Sequence, residues 1–301
     1  MPDGCTSIGY AAFSNCRYLT SINLPNTITT IETYGFSQCP KLSINFLPNK
    51  LEYIGREAFL GCSNVACRAI PKKVKYIGQK AFAGCTGLTS IILPEDLSEI
   101  DPLVFLQCRN LTSVTLPKNL TKISYGLFQE SGLTSINLPE GIVEIDDYSF
   151  YASDLASIDL PKNLNYIGAG AFTSTDLTSV KIPKSVKTLG KEAFSYCGKL
   201  VSADLSASGI TTIEENTFYY DTALETVLLP ETVTSIKKYA FYNCEQLKTI
   251  TLPSAIKSIY SNAFSGCSNL ITINVPWSEG EVSGAPWGAS SSTVINYNCT
   301  D

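Results

Sequence analysis

The chain has 301 residues, 44% of them hydrophobic, with a formal net charge of −5 and a pI near 5.0. That balance sets aside nucleic acid and an anionic membrane as main partners. No apolar run approaches the ~18 residues of a membrane-spanning helix, and the absence of histidine removes the commonest acid–base catalyst.

Phenylalanine returns at 13, 36, 59, 82, 105, 128, 150, 172, 194, 218, 241 and 264, in steps of 22 to 24 residues. A fixed period in this range marks a stacked solenoid, in which one repeat buries little and the stack makes the core. The unbroken period overrides a division into globular domains of ~150 residues each. One repeat domain is expected over residues 1–276, followed by a tail over 277–301. Pro2, Cys5, Ile8, Ala12 and Phe13 already stand in register. The chain is therefore expected to begin within a repeat, as a fragment or without an N-terminal cap, and no charged head and apolar stretch mark a signal peptide.

Each repeat follows L-T-S-I-x-L-P-x-x-V-x-x-I-G-x-x-A-F-x-x-C. The residue at the pre-proline position is aliphatic in all twelve units, from Leu24 to Val275, and only Ser206 breaks the proline column that follows it. Alternation such as Ile22–Asn23–Leu24 predicts a half-buried strand, which proline ends because it lacks an N–H for the ladder. Ile28 with Ile31, or Val186 with Leu189, predicts a second extended segment or an irregular turn, and the following A-F one helical turn. The expected class is α/β and rich in β, with about twelve repeats of 22–24 residues.

The second and third units break the alternation, because Asn45 and Arg68 stand where other repeats have an aliphatic core residue. Burying Arg68 unpaired would be very costly. Either both strands flip by one residue, turning Ile44, Phe46, Cys67 and Ala69 inward until a bulge restores the frame, or the frame holds and Ile44, Phe46, Cys67, Ala69 and Ile92 form an exposed apolar patch.

Eight of the eleven cysteines, Cys16, Cys39, Cys62, Cys85, Cys108, Cys197, Cys244 and Cys267, lie three residues after a ladder phenylalanine. Ser131, Ser153 and Thr175 replace them in the shorter repeats. This pattern predicts small, buried, free side chains at a tight turn. With no C-x-x-C pair and no histidine, neither a metal site nor a cofactor is expected. Tyr196, Tyr219, Tyr220, Tyr239 and Tyr242 crowd the later turns, where exposed tyrosine suits protein or sugar contacts. The triplets at Asn110, Asn119 and Asn298 fit the glycosylation pattern. Beyond Pro276 the repeat lapses, the segment T-V-I-N-Y alternates like a strand, and Trp277 and Trp287 are expected to cover the last repeat.

The recurring "LP", "I-G-x-x-A-F" and trailing Cys, as in LTSIILPEDLSEIDPLVFLQC, resemble the BspA-like, Treponema-type leucine-rich repeat of surface proteins over about residues 2–276. The resemblance implies a curved solenoid with a parallel sheet on its concave face, and adhesion at the cell surface or after secretion. A hydroxyl column (Ser21, Ser90, Ser113 and onward) is nearly uniform and reads as architecture. The next exposed column varies, and specificity is expected there: Phe46, Ala69 and Ile92, joined by Ile44 if the frame holds, and the polar Asn137, Asp159, Lys181 and Asp204. The expected molecule is a monomeric, non-enzymatic module for a protein or glycan ligand, with a structural stalk or phage-tail-associated receptor-binding element as the alternative.

Overall fold

The computed structural model describes residues 1–299. The chain forms two compact units, one of Met1–Ile142 with Ser149–Leu155, the other of Val143–Tyr148 with the residues from Ala156 onward. Each unit is a stack of leucine-rich repeats, and most repeats have three parts, although the strand expected at 22–24 does not form, nor do its counterparts at 136–138 and 158–160.

The first part is the strand before proline. In the first unit Ser90–Ile92 pairs with Ser113–Thr115 in parallel, Ile91 opposite Val114. In the second unit Ser179–Lys181, Ser202–Asp204 and Thr226–Leu228 make one parallel sheet. Thr249–Thr251, Thr272–Asn274 and Val294–Asn296 make another. The central residue of most of these strands is buried while its two neighbours face out, as period two requires.

The second part is a two-residue strand ending in a buried aliphatic. Ser7–Ile8, Thr30–Ile31, Tyr53–Ile54 and Tyr76–Ile77 pair in order in the first unit. Thr212–Ile213, Ser235–Ile236 and Ser258–Ile259 do so in the second.

The third part carries the ladder phenylalanine, and here the expected helical turn does not form. Among the described residues there is no helix, and so none long and apolar enough to cross a membrane. The residues two before and two after each ladder phenylalanine have positive φ, for example Tyr34 and Gln38, or Lys80 and Gly84. Left-handed residues at this spacing cannot continue a right-handed helix. They give linked turns whose N–H groups serve two directions. Tyr34, Phe36 and Gln38 donate to Arg56, Ala58 and Leu60 of the next repeat at 3.0, 2.8 and 2.7 Å, while Gly35 and Ser37 donate back to Glu32 and Tyr34. The turn is thus a parallel ladder in its own right, which satisfies a buried backbone without a helix.

The ladder phenylalanines from Phe36 to Phe264 are all fully buried, and Phe13 is half-buried. In the first unit successive rings lie 5.2 to 5.9 Å apart. In the second they lie 5.4 to 5.8 Å apart from Phe172 to Phe264. Each ring contributes roughly 1.5–3 kcal/mol by burial.

The cysteine column borders this stack. Cys62, Cys85 and Cys108 donate their thiol hydrogens to the carbonyls of Phe36, Phe59 and Phe82 at 3.0, 3.2 and 3.1 Å, and Cys244 and Cys267 repeat the contact with Phe218 and Phe241. A thiol fits because it is small, mostly apolar and still a weak donor. All eleven cysteines are free; Cys5, Cys16 and Cys299 are half-buried and the other eight buried. Burial pushes the Cys62, Cys67 and Cys108 thiols up to about 12. Titration with a thiol reagent at pH 7.5 should label those three half-buried thiols in the native protein and the other eight only on unfolding. A native count near eleven would mean the column is open to solvent.

Past Pro276 the chain makes one more turn. Val294–Asn296 adds in parallel to Thr272–Asn274, and Phe264 donates its N–H to the Trp287 carbonyl at 3.1 Å. The Trp287 side chain is buried. Thr300 and Asp301 of the expected tail, and with them the threonine of the Asn298 triplet, lie outside the described residues.

Candidate binding site

The exposed column of the first strand segment is built by the frame of the strand. Where the frame is regular, as in Ser90–Ile92, Ile91 points in and Ile92 out. In the second and third repeats the order inward to outward is changed. Ile44 is 4% exposed, Asn45 and Phe46 both face solvent, and Leu47 returns to the core. Cys67, Arg68, Ala69 and Ile70 repeat the same in-out-out-in order.

Neither sequence reading holds whole. The flip occurs at its beginning, where Ile44 and Cys67 turn in and release Asn45 and Arg68 to water. The frame is restored one residue sooner than a flipped strand would allow, so Phe46 and Ala69 stay outside. The cause is a conflict of two costs: Arg68 cannot be buried unpaired, and Leu47 and Ile70 must close the core ahead of proline. Register is disturbed as well, since Ile44 bridges Val65, whereas Ala69 bridges Ile92 in the normal frame. Ile44 is therefore no part of the exposed surface, a correction to the patch expected above.

What remains outside is an apolar series at one position of three successive repeats. Phe46 is 86% exposed, Ala69 is exposed, and Ile92 is 54% exposed. Ile92 donates its N–H to the Arg68 carbonyl at 3.0 Å, which fixes the backbone beside the patch. Neighbouring strands in a sheet stand ~4.8 Å apart, close enough for these side chains to offer one continuous surface. Arg68 flanks it with a planar cation.

The polar part of the column is of a different kind. Asn137 in the first unit and Asp159 in the second are exposed. Lys181 and Asp204 face each other at 3.2 Å. The Ser206 hydroxyl donates to Asp204 at 2.6 Å, and this bond, with Lys181, holds the carboxyl below the usual range. These two charges thus answer one another, leaving less unsatisfied attraction for a ligand. The hydroxyl column beside them is exposed or half-exposed throughout, as an architectural surface would be. Among the described residues no group of cysteines and carboxylates is placed to hold a metal ion.

Two features escaped the sequence reading. Asp221 occupies the cysteine column, three residues after Phe218, and is fully buried. Glu192 stands at the left-handed position two residues before Phe194, beside the tyrosine cluster. Both were legible by column alone.

Comparison with known proteins agrees with this geometry. The sequence profile of the BspA type leucine rich repeat region matches in six copies, over residues 1–109, 75–201 and 190–285. No curated protein matches significantly. Among solved structures, a leucine-rich repeat protein from Bacteroides ovatus is 29% identical with a TM-score of 0.78, the match covering 97% of this chain and 87% of that one. A leucine rich cell surface protein from Faecalibacterium prausnitzii is 30% identical with a TM-score of 0.62, covering 96% and 86%. The pneumococcal vaccine antigen PcpA, at 18% identity, a TM-score of 0.52 and coverage of 97% and 79%, shares the fold. The repeat columns, the parallel strands and these matches together place the chain in the BspA-type leucine-rich repeat family, to which it belongs.

Proposed function

We propose that this chain is a non-enzymatic binding module of the cell surface, an adhesin that holds a protein ligand through Phe46, Ala69 and Ile92 with Arg68 beside them. The observation that carries the reading is Phe46, a large apolar side chain 86% exposed in a column where a solvated scaffold has no use for one. Aromatic residues and arginine are the types enriched where protein interfaces gain most of their energy. The Faecalibacterium relative, described as a cell surface protein, supports the location. A bare stalk would be served by small hydroxyls in both exposed columns, as it is in the serine and threonine column, and the patch departs from that. A glycan would favour the polar column of Asn137, Asp159, Lys181 and Asp204, where Lys181 and Asp204 neutralise each other.

The test is binding of the purified chain to a panel of immobilised extracellular-matrix proteins, read by interferometry. Phe46→Ala should weaken the strongest interaction about 30-fold or more, the scale of a hot-spot truncation, with urea unfolding unchanged because the side chain buries little. Loss of binding on Asp159→Ala, with Phe46→Ala silent, would move the site to the polar column and defeat the proposal.

A further inference from the structure

The turn segments of the second unit form a cleft chemically distinct from the Phe46 patch. The left-handed positions of successive turns place Glu192, Asn216 and Tyr239 in one column, and Tyr196 and Tyr220 in another. Between them lies an open cleft of about 450 Å³, walled also by Tyr219 and Tyr242. Tyr196 stands at 72° to Tyr219, Tyr219 at 73° to Tyr239, and Tyr239 at 86° to Tyr242, while Tyr219 stacks on Tyr242 at 15° and Tyr196 on Tyr220 at 13°. Tyr239 thus stands steeply across the stacked Tyr219 and Tyr242, so the cleft has ring walls in two orientations.

The polar groups of the cleft ask for a positively charged donor. Glu215 is held by Lys191 at 3.4 Å, but among the described residues Glu192 has no cationic partner. Its bond from the Asn216 amide nitrogen is long, 3.5 Å, and the Asn216 Oδ1 is buried without a hydrogen-bond partner. One ring of the cleft already accepts a cation, the Lys238 ammonium lying over Tyr239 at 4.5 Å from the ring centre. Electron-rich ring faces attract cations. A carboxylate adds a charge-assisted hydrogen bond.

We propose that this cleft binds a basic side chain, with arginine the best fit, presented by a protein partner. A guanidinium is planar, stacks on tyrosine, is weakly hydrated, and carries five donors for Glu192 and Asn216 together. The site is independent of the Phe46 patch, so either one stands if the other fails.

The experiment uses the whole chain with its tyrosines labelled at the ring carbons, titrated by NMR with acetyl-Gly-Arg-Gly-amide. Its controls are the same peptide with citrulline, free choline, and a neutral oligosaccharide. The arginine peptide should shift the ring signals of Tyr196, Tyr239 and Tyr242 and bind at least fivefold more tightly than the citrulline peptide. Glu192→Gln, a change at an exposed position, should weaken it about tenfold, while Phe46→Ala leaves it unchanged. Equal binding of the citrulline peptide, indifference to Glu192→Gln, or shifts produced by choline or the oligosaccharide and not by the arginine peptide would overturn the proposal.

Discussion

Phe105→Ala should cost about 3–5 kcal/mol of unfolding free energy, the range for removing a large aromatic from a packed core. Phe105 is fully buried, with the rings of Phe82 and Phe128 stacked on its two sides at 5.9 Å each. Alanine removes a ring that two neighbours use as packing surface, so the loss includes burial, cavity and two stacking contacts. The Phe105 N–H also donates to Leu127 of the next repeat at 3.2 Å, a bond that alanine keeps. The damage should therefore be one of packing, with the ladder of turns still formed. Repeat stacks gain stability through nearest-neighbour interfaces, and both interfaces of one repeat are weakened here. Urea unfolding followed by circular dichroism measures the effect, with Phe46→Ala as the exposed counterpart, expected near zero. A Phe105→Ala change under about 1 kcal/mol would mean that the phenylalanine column is not where this fold stores its stability.

The columns that repeat were the legible ones. Phenylalanine every 22 to 24 residues, the aliphatic residue before proline and the cysteine three residues after the ring each recur. A solenoid places each recurrence in one environment, and all three proved to line the core. The turn was misread because A-F with a leucine six residues on has the look of helical spacing. The corrective signal was glycine at 61, 84 and 266 two residues after the ring, and at 126 and 170 two residues before it, all with positive φ. Five glycines in two columns mark a backbone need that Tyr34, Leu103 or Glu192 meet at a cost of about 1–2 kcal/mol each. The frame at Asn45 and Arg68 was not decidable from sequence, because holding it buries Arg68 and exposes Phe46, whereas flipping it slips the register and needs a bulge to return Leu47 and Ile70 to the core. The outcome combined them, with Ile44 and Cys67 in and Phe46 and Ala69 out. The tyrosine cleft was seen only as a crowd of rings; that it joins Glu192 and Asn216 follows from the turn geometry the sequence reading lacked.

Asp221→Asn should stabilise the protein at neutral pH and remove a pH dependence that the wild type carries. Asp221 fills a place where the other repeats have cysteine, serine or threonine, so a chargeable group stands among Cys197, Cys244 and the phenylalanine stack. Its Oδ1 accepts the Cys197 N–H at 2.7 Å, and its Oδ2 has no hydrogen-bond partner. Burial pushes its carboxyl well above the usual range, and the Cys197 bond only partly opposes this. An unfolded aspartate titrates near ~3.9. Below that value both states are protonated and the contribution of the neutral carboxyl to folding is fully present. As pH rises past it, the unfolded chain gives up its proton while the folded chain keeps it, so stability falls by up to about 1.4 kcal/mol per pH unit until the raised folded value is reached. Asparagine has the same shape, still accepts the Cys197 N–H, and does not titrate. The two proteins should have similar urea midpoints near pH 4 and diverge as pH rises, with the asparagine variant ahead by more than ~1 kcal/mol at pH 7. Parallel midpoint curves from pH 4 to 8 would show that the carboxyl at 221 ionises as freely in the folded chain as in the unfolded one, and that this repeat opens enough to let water reach it.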